Sequence, residues 1–310
     1  MRVLFWGTPE FATPALRALL GEGFDVVGVV TQPDKPVGRG RSSVQAPPVK
    51  RVAAEEGIPV LQPAKPRGDE FVAEVRSLGA DISVVVAYGH ILPRAVIDLP
   101  LRGTLNVHAS LLPKLRGAAP IQAAIRDGLD KTGVSIMRLV ERLDAGPVIL
   151  QLGTDVLEDE TYGELALRLS ELGAAALIEA LALLELGKAT EASQDETEAT
   201  YASKIDRVAT RVDWTRDARA VSRTIRAYDP RPGAFTTLRD QDVKLFGARL
   251  APATSHSEPG EVLGADRDGL VVACGEGAIR VLQVQPAGKR RMSPDEWVRG
   301  RGTATGQRFA

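Results

Sequence analysis

An amide and an imidazole stand two residues apart in TLNVHASLLPKLRGAAPIQ, residues 104–122, at Asn106 and His108. The apolar run that carries them reads as a strand, and positions two apart on a strand leave the same face. An amide N–H₂ beside an imidazole suits a carbonyl oxygen that gains negative charge. Histidine, with an unperturbed pKa of about 6.5, also allows proton traffic near neutrality. A carboxylate partner follows at Asp144, in RLVERLDAGPVI between two apolar runs. There it can hold His108 in one tautomer and favour its charged form. Each residue has a plainer reading. A histidine at a strand end is commonly a satisfied structural side chain, and Asp-Ala-Gly is good turn chemistry. The neighbours favour chemistry, because SLLP and then RGAAP make a shaped loop rather than a generic turn. Metal-ligand spacing is missing: His90, His108 and His256 are far apart. The single cysteine, Cys274, sits in the apolar run GLVVACGEG and reads as a small core side chain.

The elements that must position these groups alternate strand and helix through the first half. RVLFWG, DVVGVVTQ, IPVLQ, ADISVVVAYG and GTLNVHA read as strands, and TGVSIMRLV with AGPVILQ as a further strand pair. TPEFATPALRALLGEG, VKRVAAEEG, GDEFVAEVRSLG and ILPRAVIDL read as intervening helices, PIQAAIRDG as one opened by Pro120, and residues 161–187 as one long helix. Near-continuous Val/Ile/Leu strands separated by helices predict an α/β fold, a Rossmann-like, mostly parallel sheet with helices on both faces. In such a sheet ligands bind outside the carboxyl ends of the strands, where the topology switches. PDKPVGRGRSSVQAPPVK, residues 33–50, is a loop of functional length. Residues 188–204 are polar and form a linker or a surface strap. After them the pattern changes to a helix, TRDARAVSRTIRAYDP, and five short strand-like runs, GAFTTL, DVKLFGARL, GEVLGAD, GLVVACGEG and AIRVLQVQP. These predict a small barrel or sandwich, OB-like in size. A last helix, SPDEWVRG, has Ser293 as N-cap and Pro294 at its first position. The expected division is a catalytic domain over 1–188, a linker over 189–205 and an OB-like domain over 206–310.

The 310 residues carry a net charge of −1, but unevenly. Residues 201–310 hold 19 Lys+Arg against 13 Asp+Glu, and residues 1–200 hold 20 against 27. A basic last third on an acidic body points to an anionic partner, unless it is incidental surface charge. The turn GKRR, with Lys289, Arg290 and Arg291, is the densest basic cluster there. The opening MRVLFWGTPEF is interrupted too soon for a signal peptide, and no stretch approaches the ~20 apolar residues of a membrane helix. A cytoplasmic protein without a membrane partner is expected. With no extended apolar surface stripe apparent, so is a monomer.

GTPEFA, VVTQPDKPVGRG, VVVAYGHILP, NVHASLLPKLRGAAPIQ, TGVSIMRLVERLDAGPVI, QDETEATYASKI, RAYDPRPGAF and LQVQPAGKRRM together resemble the methionyl-tRNA formyltransferase family over nearly the whole chain. The resemblance implies transfer of a formyl group from 10-formyltetrahydrofolate, a cosubstrate, to the α-amine of methionyl initiator tRNA, without a metal. It implies a catalytic trio of Asn106, His108 and Asp144, a folate-binding turn of Ser110, Leu111, Leu112 and Pro113, and Gly7 and Thr8 beside the cleft. Arg39 or Arg41 falls where the family places an arginine for the acceptor end of the tRNA. Lys289, Arg290 and Arg291 would add contacts from the basic domain. The chain departs from the family in RGRSS, where many members carry lysines, and in Ala109, where glycine is common.

Other readings fit less well. A glycinamide ribonucleotide formyltransferase would share the trio but stop near residue 200, without the barrel-like domain. A formyltetrahydrofolate hydrolase would carry a regulatory domain before the sheet, and a sugar-amine formyltransferase a different C-terminal domain. A nucleotide-dependent dehydrogenase needs G-x-G-x-x-G, where this chain has GTPEFA. A non-catalytic tRNA-binding protein would leave the trio without a use.

Overall fold

Val3, Leu4, Phe5 and Trp6 of the first strand are all fully buried, so both faces of that strand are covered. The computed structural model describes residues 1–37, 43–252 and 257–310. In chain order the elements are β1 (Arg2–Gly7), α1 (Thr13–Gly21), β2 (Asp25–Val30), β3 (Lys35–Val37), β4 (Ser43–Gln45), α2 (Pro48–Glu55), β5 (Val60–Leu61), α3 (Asp69–Ser77), β6 (Ile82–Val86), α4 (Arg94–Ile97), β7 (Thr104–His108), β8 (Arg116–Gly117), α5 (Pro120–Arg126), β9 (Lys131–Arg138), β10 (Val148–Asp155), α6 (Tyr162–Glu185), β11 (Tyr201–Ala202), α7 (Ala218–Ala227), β12 (Ala234–Leu238), β13 (Gln241–Ala251), β14 (Val262–Asp266), β15 (Gly269–Ala273), β16 (Ala278–Pro286) and α8 (Pro294–Arg299). They form two compact units. The first comprises Met1–Gly117, Thr132–Thr154 and Ala166–Tyr201; the second comprises Ala118–Lys131, Asp155–Leu165 and Ala202–Ala310.

The first unit is built on a seven-stranded sheet of order β10-β9-β7-β6-β1-β2-β5. β5, β2, β1, β6 and β7 run parallel, and β9 pairs antiparallel with β7. The chain moves outward from β1 through β2 to β5, then returns to the other side of β1 as β6 and β7. The order therefore reverses between β1 and β6, and the crevice beyond the carboxyl ends there is where such sheets take ligands. One face of β1 supplies Leu4 and Trp6 to a core with Phe71 and Val75 of α3 and Val96 and Ile97 of α4. The helix expected from Thr8 onward starts instead at Thr13, after a single 3₁₀ turn over Glu10–Ala12. Pro9 and Pro14 punctuate that run, and Pro14 suits the first turn because its missing N–H needs no partner there. Part of the 33–50 stretch is the hairpin β3–β4 rather than loop.

The second unit is built on a five-stranded antiparallel sheet of order β12-β13-β16-β15-β14. Its two edge strands do not pair with each other; residues 307–310 bond to both edges. Val262 N–H donates to Gln307 O at 2.8 Å and Phe309 N–H to Gly260 O at 2.9 Å. Thr237 N–H donates to Ala310 O at 3.1 Å, and Ala310 N–H to Thr237 O at 2.9 Å. Four residues reach at most about 14 Å, so the edges must curl to within that span: the barrel is closed by its tail. Phe309 anchors the closure, 2% exposed and stacked between Trp214 at 5.5 Å and Trp297 at 6.3 Å. Ser293 caps α8 as expected, its hydroxyl accepting from Glu296 N–H at 3.2 Å. Cys274 is buried at 4% exposure, which pushes its thiol pKa up to about 12.

Replacing Phe309 by Ala should destabilise the second unit by about 3–5 kcal/mol, the usual cost of emptying a buried aromatic site. Denaturant unfolding of the full chain, followed by tryptophan fluorescence, measures this. A loss below about 1 kcal/mol would mean that the tail does not close the barrel.

Candidate active site

β7 delivers Asn106 and His108 to the carboxyl end of the sheet, with one residue between them. His108 is 5% exposed. Its Nε2 lies 3.0 Å from Leu115 O. A carbonyl only accepts, so Nε2 carries a proton. Nδ1 lies 3.7 Å from Asp144 Oδ2. That is too long for a hydrogen bond, so the carboxylate faces Nδ1 without binding it. Nδ1 is thus the ring atom left for chemistry. Asn106 is half-buried, and its amide makes no side-chain hydrogen bond among the described residues.

Asp144 sits between β9 and β10 in the left-handed region, at φ 46°, a conformation Asp tolerates better than most residues. Its Oδ2 accepts from Gly117 N–H at 2.8 Å. Gly146 completes the turn, since a Cβ there would lie 1.9 Å from Arg138 O. Asp144 is thus a turn residue that also faces Nδ1 of His108, while Leu115 O, not Asp144, fixes the tautomer.

The SLLP turn is fixed from behind. Ser135 of β9 accepts from Leu112 N–H at 3.1 Å and donates to Ser110 O at 2.6 Å. Gln151 of β10 donates to Leu112 O at 2.9 Å and to Ser135 Oγ at 2.8 Å. Ser110 and Leu112 are buried, and the Ser110 hydroxyl is spent on Lys114 O at 2.6 Å. Leu111 and Pro113 are half-buried. The bond between Leu112 and Pro113 is cis.

At the ends of β1 and β2, Thr8 Oγ1 and Gln32 Nε2 both donate to Tyr88 O, at 2.9 and 3.0 Å. The stem of the 33–50 stretch is tied by Lys50 to Asp34 at 2.8 Å and by Gln62 Nε2 to Asp34 Oδ1 at 2.7 Å. Hydrogen bonds from Lys50 and Gln62 hold the Asp34 carboxyl below the usual range. Arg39 and Arg41 lie outside the described residues.

In the second unit the three GKRR cations differ. Arg290 pairs with Glu296. Arg291 stacks over Phe246 at 3.9 Å and faces Asp229 at 3.4 Å. Lys289 is exposed, and its ammonium has no partner among the described residues. Those residues also hold no group of three or more His, Cys, Asp or Glu placed for a metal.

Sequence reasoning missed what lies behind Asp144. Arg116 is fully buried, its guanidinium bonded to Gln194 Oε1 at 2.8 and 3.0 Å and to Glu196 at 3.0 and 3.1 Å. The polar stretch after residue 188 is thus a strap. Ala192 bridges Val148, and Thr200 binds Leu115 N–H through its hydroxyl and Arg116 N–H through its carbonyl. No local signal links them: Arg116 has no acidic neighbour in sequence, and its partners lie 78 and 80 residues further on.

The comparisons agree with this architecture. A family model described as formyl transferase matches residues 1–181, and one described as formyl transferase, C-terminal domain, matches 204–302. The chain belongs to the formyl transferase family. Among its relatives, the methionyl-tRNA formyltransferase of Magnetococcus marinus is 48% identical over 99% of this chain and 98% of its own length. That of Marinobacter nauticus is 45% identical over 97% and 96%. Among solved structures, HypX from Aquifex aeolicus in complex with tetrahydrofolic acid superposes with a TM-score of 0.68 at 21% identity, over 96% of this chain and 47% of that one. The chain therefore spans about half the length of that neighbour. An N-formyltransferase from Helicobacter canadensis, in complex with folinic acid and dTDP-3-aminofucose, gives 0.68 at 15% identity, over 92% and 98%. These two show a shared fold.

Arg116 holds the Glu196 carboxyl below its ordinary range, chiefly through their hydrogen bond. A carboxyl with a folded pKa below its unfolded value of about 4.3 stabilises the fold above that value, and loses the contribution as pH falls through the folded one. Between about pH 5 and pH 3 the wild type should lose stability that Glu196→Gln does not. Urea unfolding at both pH values tests this; equal losses would remove the linkage.

Proposed function

We propose that this formyl-transferring enzyme moves the formyl group of 10-formyltetrahydrofolate to the α-amine of methionyl initiator tRNA. One observation carries the reading of the site: His108 is committed to Leu115 through Nε2 and presents Nδ1 to the Asp144 carboxylate, on the strand that also carries Asn106, whose amide makes no side-chain hydrogen bond among the described residues. The substrate class is supported by the full-length relatives, which are methionyl-tRNA formyltransferases at 44–48% identity. The sugar N-formyltransferases among the solved structures stand at 15–24% and speak to the fold alone.

An α-amine with a reference pKa of about 7.7–8.0 is substantially nucleophilic near neutrality. It attacks the formyl carbon, and the carbonyl oxygen takes up negative charge. The Asn106 amide and the Nδ1–H of the His108 imidazolium donate to that oxygen, each such donor worth about 3–4 kcal/mol. Asp144 balances the imidazolium charge and accepts the proton lost by the amine. The bond from the formyl carbon to folate N10 then breaks, N10 takes up the proton that Asp144 received from the amine, and the formamide remains on the tRNA. The SLLP turn, locked by Ser135 and Gln151, offers the folate a rigid edge of backbone with Leu111 and Pro113. Lys289, and Arg39 or Arg41 from the 33–50 stretch, supply cations to the tRNA, and a charged tRNA as substrate places the enzyme in the cytoplasm.

Asn106→Ala and His108→Ala should each lower kcat by about 10²-fold or more, with tRNA affinity unchanged. Single-turnover formylation of methionyl initiator tRNA measures this, and near wild-type rates would remove both residues from the mechanism. Lys289→Ala should reduce the slope of log affinity against log salt by about 1. An unchanged slope would move the tRNA contact off the GKRR turn.

A further inference from the structure

Gln194 joins two things that are far apart in sequence. Its Nε2 donates to Asp144 O at 2.8 Å and to Gly146 O at 2.8 Å. Its Oε1 accepts from Nε and Nη2 of the buried Arg116. A side chain here must accept from a guanidinium at one atom and donate twice at another, and an amide does both. Glutamate would pair with Arg116 but set oxygen lone pairs against two carbonyls. The turn that Gln194 grips has a reason to relax. Asp144 holds a left-handed backbone conformation, and the two donated hydrogen bonds fall on its own carbonyl and on that of Gly146. Glu196 adds a second grip, pairing with Arg116 and also with Arg142, two residues before Asp144.

We propose that Gln194, held by Arg116, is a positioning residue that sets the Asp144 carboxylate against Nδ1 of His108. The inference rests on the role of Asp144 argued under Proposed function. Arg116 serves the pair from both sides. Its chain neighbours Leu115 and Gly117 bind His108 Nε2 and Asp144 Oδ2 directly, while its side chain fixes the strap residue that holds the Asp144 backbone. The gap from Nδ1 to Oδ2 is already 3.7 Å. A further displacement of about 1 Å is the kind that costs about 10²-fold in rate.

The test separates holding Asp144 from holding the fold. Gln194→Glu keeps the pairing with Arg116 but removes the donors to Asp144 and Gly146. It should lower single-turnover formylation by about 10–100-fold, leave KM for both substrates within about twofold, and leave the melting temperature within a few degrees. Gln194→Met, which fills the same volume without polar atoms, serves if the glutamate variant fails to fold. The decisive readout is the combination with Asp144→Ala. If Gln194 acts through Asp144, adding its substitution to Asp144→Ala produces less than a twofold further loss. A Gln194 variant with wild-type rate, or losses that multiply in the double variant, would overturn the proposal. Asp144→Ala with a wild-type rate would instead overturn the underlying reading of the active site.

Discussion

The Leu115 carbonyl and the Gly117 N–H are two residues apart on one short stretch, and between them they set the His108 ring and the Asp144 carboxylate. Backbone groups so close in sequence cannot move independently, so this stretch is a template on which imidazole and carboxylate are registered. The residue between them is a fully buried arginine. A guanidinium taken out of water carries a penalty of several kcal/mol unless its hydrogens are matched. Here Gln194 and Glu196 match them, and both come from the strap. The strap is therefore required rather than decorative, since removing it would strand a buried charge beside the site.

Rigidity around the site comes from cross-links rather than from the loops themselves. The SLLP turn has little regular structure, yet Ser135 and Gln151 on neighbouring strands hold its backbone at both ends. The stem of the 33–50 stretch is held in the same manner by Asp34, Lys50 and Gln62. In each case a polar side chain on or next to a strand or helix ties down a segment that propensity alone would leave loose. In this chain the segments around the candidate site are thus carried on the sheet by side-chain hydrogen bonds.

Much of this was legible in the sequence, for physical reasons. The sheet was readable because strands buried on both faces must be apolar throughout, as VLFW and ISVVV are. Asn106 and His108 were readable because a strand's two-residue repeat puts them on one face. Asp144 stood out as a carboxylate between two apolar runs, with turn chemistry as its plainer reading. Arg116, Gln194 and Glu196 were not readable, because their partnership spans some eighty residues and no local rule links an arginine in a loop to an amide in a polar strap. The start of α1 was misplaced because two prolines outweigh the apolar period of the run. The barrel strands were visible from their spacing, but the closing tail was not, since GQRF shows neither strand alternation nor length.

The tail also dictates an order of events during synthesis. A nascent second unit can lay down its strands one after another, but its two edges stay unjoined until residues 307–310 leave the ribosome. The first unit meets a milder form of the same delay: β7 emerges early, yet Arg116 has no counter-groups until Gln194 and Glu196 are made. Chains of this size fold largely from the N-terminal end. The candidate site in the first unit can therefore assemble before residues 307–310 join the edges of the second.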